Sequence, residues 1–155
     1  MTVGNSEHGP GQTARRRRLG LLARAPKAML ADALAGRTTA TVRVLRAAET
    51  GLVMVRGRAG GTGERFNLGE MTVSRCTLAD GDGRIGVGMV AGRDREKAEW
   101  IARLDLLLQH PEHGPMLETA LITPLAALIE DERADRAAKA AATRVDFFTM
   151  VRGDV

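Results

Sequence analysis

The chain has 155 residues, a formal net charge of +4 and 44% hydrophobic residues, values that fit one soluble globular domain with a single core. Three Phe, one Trp and no Tyr leave the core to aliphatic side chains, Ala and Met. A single cysteine, Cys76, excludes an intrachain disulfide and a cysteine-built zinc site, and no apolar run approaches the ~20 residues that cross a bilayer.

Residues 1–12 are rich in Gly, Ser, Asn and Pro and predict a disordered extension. Residues 13–155 then read as one α+β domain. Thr13 is positioned to cap a helix that ends near Ala25, because Pro26 cannot continue it. The basic run Arg15 to Arg18 opens this helix, but Arg24 and Lys27 interrupt the apolar stretch that a signal peptide would need. The segment therefore reads as an amphipathic helix of a cytoplasmic protein. Its four arginines occupy successive helix positions and ring the helix instead of striping it. Pro26 opens a second helix with Met29, Leu30, Ala33 and Leu34 on one face, and Gly36 is its stop.

β-branched residues follow. "TVRVLR", Thr41 to Arg46, and "LVMVRG", Leu52 to Gly57, predict two strands joined by a turn at Glu49-Thr50-Gly51. The second is apolar at both parities and is expected to be central, covered on both sides. A third strand is predicted over Met71 to Leu78. The turn Asp80-Gly81-Asp82-Gly83 leads to a fourth, Arg84 to Val90. Ile85, Val87 and Met89 share one face of it; Gly86 and Gly88 share the other, where a neighbour can approach the backbone. Asp94 caps a packing helix that runs to about Gln109, with Ala98, Ile101, Leu104 and Leu108 inward and charged residues filling the rest. A short helix is predicted over Met116 to Ile122, and Thr123-Pro124 starts another. That last helix, about 124–143, turns charged or alanine-rich after Glu130 and reads as an arm. The aromatic tail 144–155 follows it. The expected fold is thus a four-stranded antiparallel meander with helices on one side, ending in a helix and an extended tail.

The search for chemistry turns first to "RAGGTGERFNLGE", Arg58 to Glu70. Arg58, Gly60, Gly61, Thr62, Gly63 and Arg65 have the composition of an anion nest. The loop has no P-loop Lys, and a strand follows it instead of a helix, so the helix-end field for phosphate is missing. The alternative is a strand-to-strand loop whose arginines pair with Glu64 and Glu70. His110 and His113 bracket Pro111, which breaks the helix that would align them on a metal. Cys76 lies among apolar neighbours with no base nearby in sequence. Asp80/Asp82 and Glu130/Glu132 fall in a turn and on a solvated helix, not in a buried pair. No aromatic platform accompanies the arginines, so nucleic acid is not expected as a partner. Nor is a membrane. No catalytic residue, metal site or bound cofactor is expected. The tail "VDFFTMV" is the most informative segment: Val145, Phe147, Phe148, Met150 and Arg152 either fold onto the chain's own core or anchor a partner.

Four stretches carry a resemblance: "RAAETGLVMVRGRAGGTGERFNLGEMTVSR", "GRDREKAEWIARLDLLLQ", "LITPLAAL" and "RVDFFTMVRGD". Together they are similar to the G-subunit family, PhnG, of the carbon–phosphorus lyase core complex, from about Thr13 onward. "TLADGDGRIGVG" and "RADRAAKAAATR" match more loosely. The resemblance implies a role in bacterial phosphonate use. In that family the G, H and I subunits, with the L protein, make α-D-ribose 1-methylphosphonate 5-triphosphate from ATP and methylphosphonate, displacing adenine. The J subunit later cleaves the carbon–phosphorus bond with an iron–sulfur cluster and S-adenosylmethionine. The resemblance implies that the adenine-displacing chemistry belongs to the I subunit, with which G pairs closely, and that this chain is structural or accessory. It transfers no catalytic residue. ATP is then a co-substrate of the complex, not a cofactor of this chain.

Overall fold

The computed structural model describes residues 9–37, 42–58 and 63–143. Five α-helices and three strands follow in the order α1 (Pro10–Arg24), α2 (Lys27–Leu34), β1 (Arg43–Gly57), β2 (Phe66–Ala79), β3 (Ile85–Ala91), α3 (Arg95–Gln109), α4 (Gly114–Leu117) and α5 (Thr123–Ala142). A single π-helical turn, Glu118–Ile122, joins α4 to α5.

The α+β class stands, but the sheet has three strands in the order β1-β2-β3, not four. The two strands expected at Thr41–Arg46 and Leu52–Gly57 are one. Glu49, Thr50 and Gly51 do not turn; they pair with Arg75, Ser74 and Val73 of β2. The polar groups that suggested a turn are satisfied across the ladder. Glu49 Oε1 accepts from Arg75 Nε at 2.8 Å, and the Thr50 and Ser74 hydroxyls share a hydrogen bond of 3.2 Å. Ser74 also donates to the Gly92 carbonyl at 3.0 Å. Register shifts between Val44 and Arg46, and between Arg46 and Glu49, absorb the irregularity as bulges.

The glycine pair of β3 lies against α3. A Cβ at Gly86 would collide with the Ala102 carbonyl and come within 2.6 Å of Leu106 Cγ. A Cβ at Gly88 would collide with the Ala98 carbonyl and come within 2.8 Å of Ala102 N. The helix backbone therefore rests directly on the sheet, beside the buried Ser74, Cys76 and Leu78 of β2. Asp94 caps α3, accepting from Lys97 N at 2.9 Å. Leu22, Leu30, Leu78, Ile101, Leu104, Leu117 and Leu125 are fully buried, an aliphatic core drawn from all the layers.

Two helix starts differ in detail from expectation. α1 starts at Pro10, in the first-turn position that proline favours, with Gly9 before it. Thr13 lies inside the helix and donates back to the Gly9 carbonyl. α5 does start at Thr123-Pro124, with Pro124 in the first turn, but Thr123 is not its cap: Ile122 and Thr123 keep helical dihedrals and the chain runs into α5 without a break. Pro124 has no N–H and its ring crowds the preceding turn, so the chain widens into the π turn and continues. The Thr123 backbone N–H and its hydroxyl both donate to the Glu118 carbonyl, the hydroxyl at 3.0 Å. Beyond Ile129 every residue of α5 is exposed, and Glu132 pairs with Arg136 at 3.3 Å along that outer stretch.

Candidate interaction surface

The two long strands set the surface. β3 pairs only with Val73–Ala79 of β2. The remaining half of β2, from Phe66 to Thr72, pairs with Leu52 to Gly57 of β1 as a two-stranded ribbon with no third strand beside it among the described residues. Leu52, Met54 and Leu68 of this ribbon are each more than half exposed, at 60%, 54% and 57%; Phe66 and Met71 are exposed as well. Leu52 and Met54 share one face by the two-residue period, while Met71, directly opposite Val53, lies on the other. The segment expected to be central and covered on both sides is therefore an edge strand among the described residues, with Leu52 and Met54 exposed on one face and Val53 and Val55 half-buried on the other. A cluster of exposed apolar side chains marks an interaction site, and an uncovered edge is a place where another chain pairs. The apolar surface continues into a groove of about 330 Å³, where Leu19, Gly20 and Ala23 of α1 face Val53, Met71, Val87 and Met89 of the sheet.

The glycine-loop segment lies between the two strands of this ribbon in sequence. Arg58, Gly63 and Arg65 are exposed, and Arg56 Nη2 donates to the Arg65 carbonyl at 3.4 Å. Among the described residues neither Arg58 nor Arg65 pairs with Glu64 or Glu70. Gly60, Gly61 and Thr62 lie outside the described residues, as do Val145, Phe147, Phe148, Met150 and Arg152 of the tail.

The titratable groups serve the fold. Cys76 is buried, its thiol pushed up by burial, and Sγ donates to the Arg46 carbonyl at 3.5 Å; a thiol held protonated is a poor nucleophile. The His110 and His113 rings lie 4.8 Å apart, and His110 Nδ1 accepts from Glu112 N at 3.2 Å. No three His, Cys, Asp or Glu side chains among the described residues are grouped for a metal. Asp80 and Asp82 both bind Arg84 within their own turn, Asp80 at 2.7 Å. Glu49 sits between Arg75 and Arg46; the hydrogen bond from Arg75 chiefly holds its carboxyl below the usual range.

The arginine run of α1 is divided. Arg15 reaches the buried Asp105 of α3. Arg18 pairs with Glu118 at 3.6 Å and donates to the Leu108 carbonyl at 3.4 Å. Arg16 and Arg17 have no carboxylate within ion-pair distance among the described residues; they face α5. Sequence periodicity places four charges around a helix but does not say which has a buried partner. Asp105, expected among the charged residues outside the core, is the partner that was missed.

Comparison with known proteins is consistent over nearly the whole chain. The family described as phosphonate metabolism protein PhnG matches residues 13–153. Among curated proteins, the chain is 43% identical to the alpha-D-ribose 1-methylphosphonate 5-triphosphate synthase subunit PhnG of Rhizobium meliloti (strain 1021), over 99% of both chains. No helix among the described residues is long and apolar enough to cross a membrane.

Proposed function

Because the chain belongs to the PhnG family of phosphonate metabolism proteins, we propose that it is a subunit of an α-D-ribose 1-methylphosphonate 5-triphosphate synthase. In this reading the assembled enzyme joins ATP and methylphosphonate, displaces adenine, and serves organic phosphonate catabolism in the cytoplasm. This chain contributes surface to the assembly and holds no catalytic residue. ATP is a co-substrate of the assembly and not a cofactor of this subunit. The single observation that carries the reading is the open ribbon: Leu52, Met54, Phe66, Leu68 and Met71 are core-type side chains left in solvent. Leaving large aliphatic side chains exposed forfeits about 1.5–3 kcal/mol each relative to burial, a loss that a permanent partner removes.

The partner assigned to this surface is the I subunit of the same complex, with the H and J subunits and the L protein beyond it. The tail residues Val145, Phe147, Phe148, Met150 and Arg152 belong to the same docking proposal, since aromatic anchors dominate interface energetics. The loop of Arg58, Gly60, Gly61, Thr62, Gly63 and Arg65 supports a second reading, direct contact with a phosphate of the substrate. It is favoured by two exposed guanidinium groups that pair with neither neighbouring glutamate.

Complementation tests the first reading. A strain lacking its own G subunit and grown on methylphosphonate as sole phosphorus source is expected to recover growth with this chain, and tagged chain is expected to retrieve the I subunit. Recovery of neither growth nor partner overturns it. Substituting Arg58 and Arg65 together tests the second: the expected result is an intact complex with a raised KM, and unchanged kinetics overturn it.

A further inference from the structure

Between α1 and α5 lies a cleft of about 450 Å³ lined by Arg16, Arg17 and Arg24 on one side and Arg133 on the other. One carboxylate, Glu130, shares it, and its only ion pair among the described residues is a loose one with Arg133 at 3.9 Å. Four arginines thus line one cleft with a single opposing charge. The neighbouring arginines of the same run, Arg15 and Arg18, are consumed by Asp105 and Glu118. Arg16 and Arg17 lack such partners among the described residues.

Gly20, in the interior of α1, also lines the cleft. A mid-helix glycine weakens a helix, and nothing in the packing requires one here. A Cβ at this position would meet only Arg24 Nη2, at 3.7 Å. Gly86 and Gly88, by contrast, are demanded by the helix backbone above them. Arg24 Nε donates to the Gly20 carbonyl at 2.9 Å, which holds its guanidinium beside Gly20 before any ligand arrives.

We propose that this cleft is a binding site for a small polyphosphate-bearing anion. Three features select that class. The groups are all arginine, whose planar fork matches phosphate oxygens two at a time. The volume lies in the range of small-molecule sites. Arg16 and Arg24 stand eight residues apart, about 12 Å along the helix, which suits a chain of phosphates better than a single one. The inference is separate from the glycine loop and stands without the synthase role.

Titration calorimetry of the purified full chain with sodium tripolyphosphate at low ionic strength reads the site directly. Saturable 1:1 binding is expected. Arg16→Gln/Arg17→Gln and, independently, Arg24→Gln are each expected to weaken it about tenfold or more, the size of one lost charge-assisted hydrogen bond. Arg43→Gln/Arg93→Gln, two exposed arginines elsewhere, serves as the charge-matched control and is expected to bind as wild type. All four arginines of the cleft are exposed or at its rim, so thermal melts of the variants should match wild type; if one variant melts early, the other carries the test. Absence of binding overturns the proposal, as does equal weakening by the cleft and control variants. Binding of an oligoglutamate peptide by the same arginines, with no binding of tripolyphosphate, overturns it in favour of an acidic protein segment.

Discussion

Arg15 of α1 and Asp105 of α3 form a two-pronged ion pair, Nε to Oδ1 at 3.1 Å and Nη2 to Oδ2 at 2.7 Å. Asp105 Oδ2 also accepts from Val87 N at 2.9 Å, and Arg15 Nη2 donates to the Ile85 carbonyl at 2.6 Å. One carboxylate thus ties α1, α3 and β3 together. Its side chain is only 3% exposed, so removing its partner leaves an uncompensated buried charge. Arg15→Ala is expected to cost about 3 kcal/mol or more. Asp105→Ala is expected to be similarly damaging, because it also strands the Val87 N–H. Urea unfolding of both variants checks this; losses below 1 kcal/mol would show the pair to be dispensable.

Glycines on β3 and α1 are expected to respond in opposite directions. Gly88→Ala forces the Ala98 carbonyl away and lifts α3 from the sheet, an overpacking penalty of about 3 kcal/mol that can prevent folding. Gly20→Ala meets only Arg24 Nη2, in ordinary contact at 3.7 Å, and restores helix propensity, so it is expected to stabilise the chain by about 0.5–1 kcal/mol. Paired thermal melts decide the matter, and a stable Gly88→Ala protein would contradict the direct helix-on-sheet contact.

The Asp94 cap supplies a pH dependence. The backbone N–H of Lys97 chiefly, and the Lys27 ammonium after it, hold the Asp94 carboxyl below its ordinary value. A group depressed in the folded state stabilises the fold above its unfolded pKa, and that contribution is lost as pH falls through the folded value. Wild type should therefore lose stability on acidification below about pH 4 more steeply than Asp94→Asn. At neutral pH, Asp94→Ala is expected to cost about 1 kcal/mol. Melting temperature against pH for the two proteins tests the direction; parallel acid limbs would remove Asp94 from the account.

What the sequence made legible was local. Asp94 before a run of Ala98, Ile101, Leu104 and Leu108 specifies α3 because cap and period agree, and all four side chains are buried or nearly so. Alternation on β3 marked the glycine face as a place of close approach, and α3 occupies it. The failures were matters of partners. Glu49-Thr50-Gly51 has turn composition, but Arg75 and Ser74 stand across the ladder and satisfy it as strand. Leu52–Gly57 has the composition of a covered strand, and a single sequence does not reveal that no other described element covers Leu52 and Met54. Asp105 looked solvated because nothing nearby in sequence announces Arg15, ninety residues away. The anion site shows the same limit. "RRRR" reads as one uniform charge run, and only the third dimension separates its ion-paired half, Arg15 and Arg18, from the half that lines a cleft.

The open ribbon makes the sharpest prediction about assembly. Leu52 and Met54 are 60% and 54% exposed, so neither contributes much to the isolated fold. Leu52→Ser/Met54→Ser is accordingly expected to shift stability by no more than about 0.5 kcal/mol per site. In the complex the same two side chains are expected to be buried. Each lost aliphatic contact at an interface core costs about 1–2 kcal/mol, so together they should weaken retention of the I subunit by at least tenfold. Phe147→Ala/Phe148→Ala separates ribbon from tail: if only the tail variant loses the partner, the tail is the anchor and the ribbon has another role. Copurification at graded salt, with a thermal melt of each variant alone, reads both quantities. A ribbon variant that melts as wild type and still holds its partner as tightly would remove this surface from the interface.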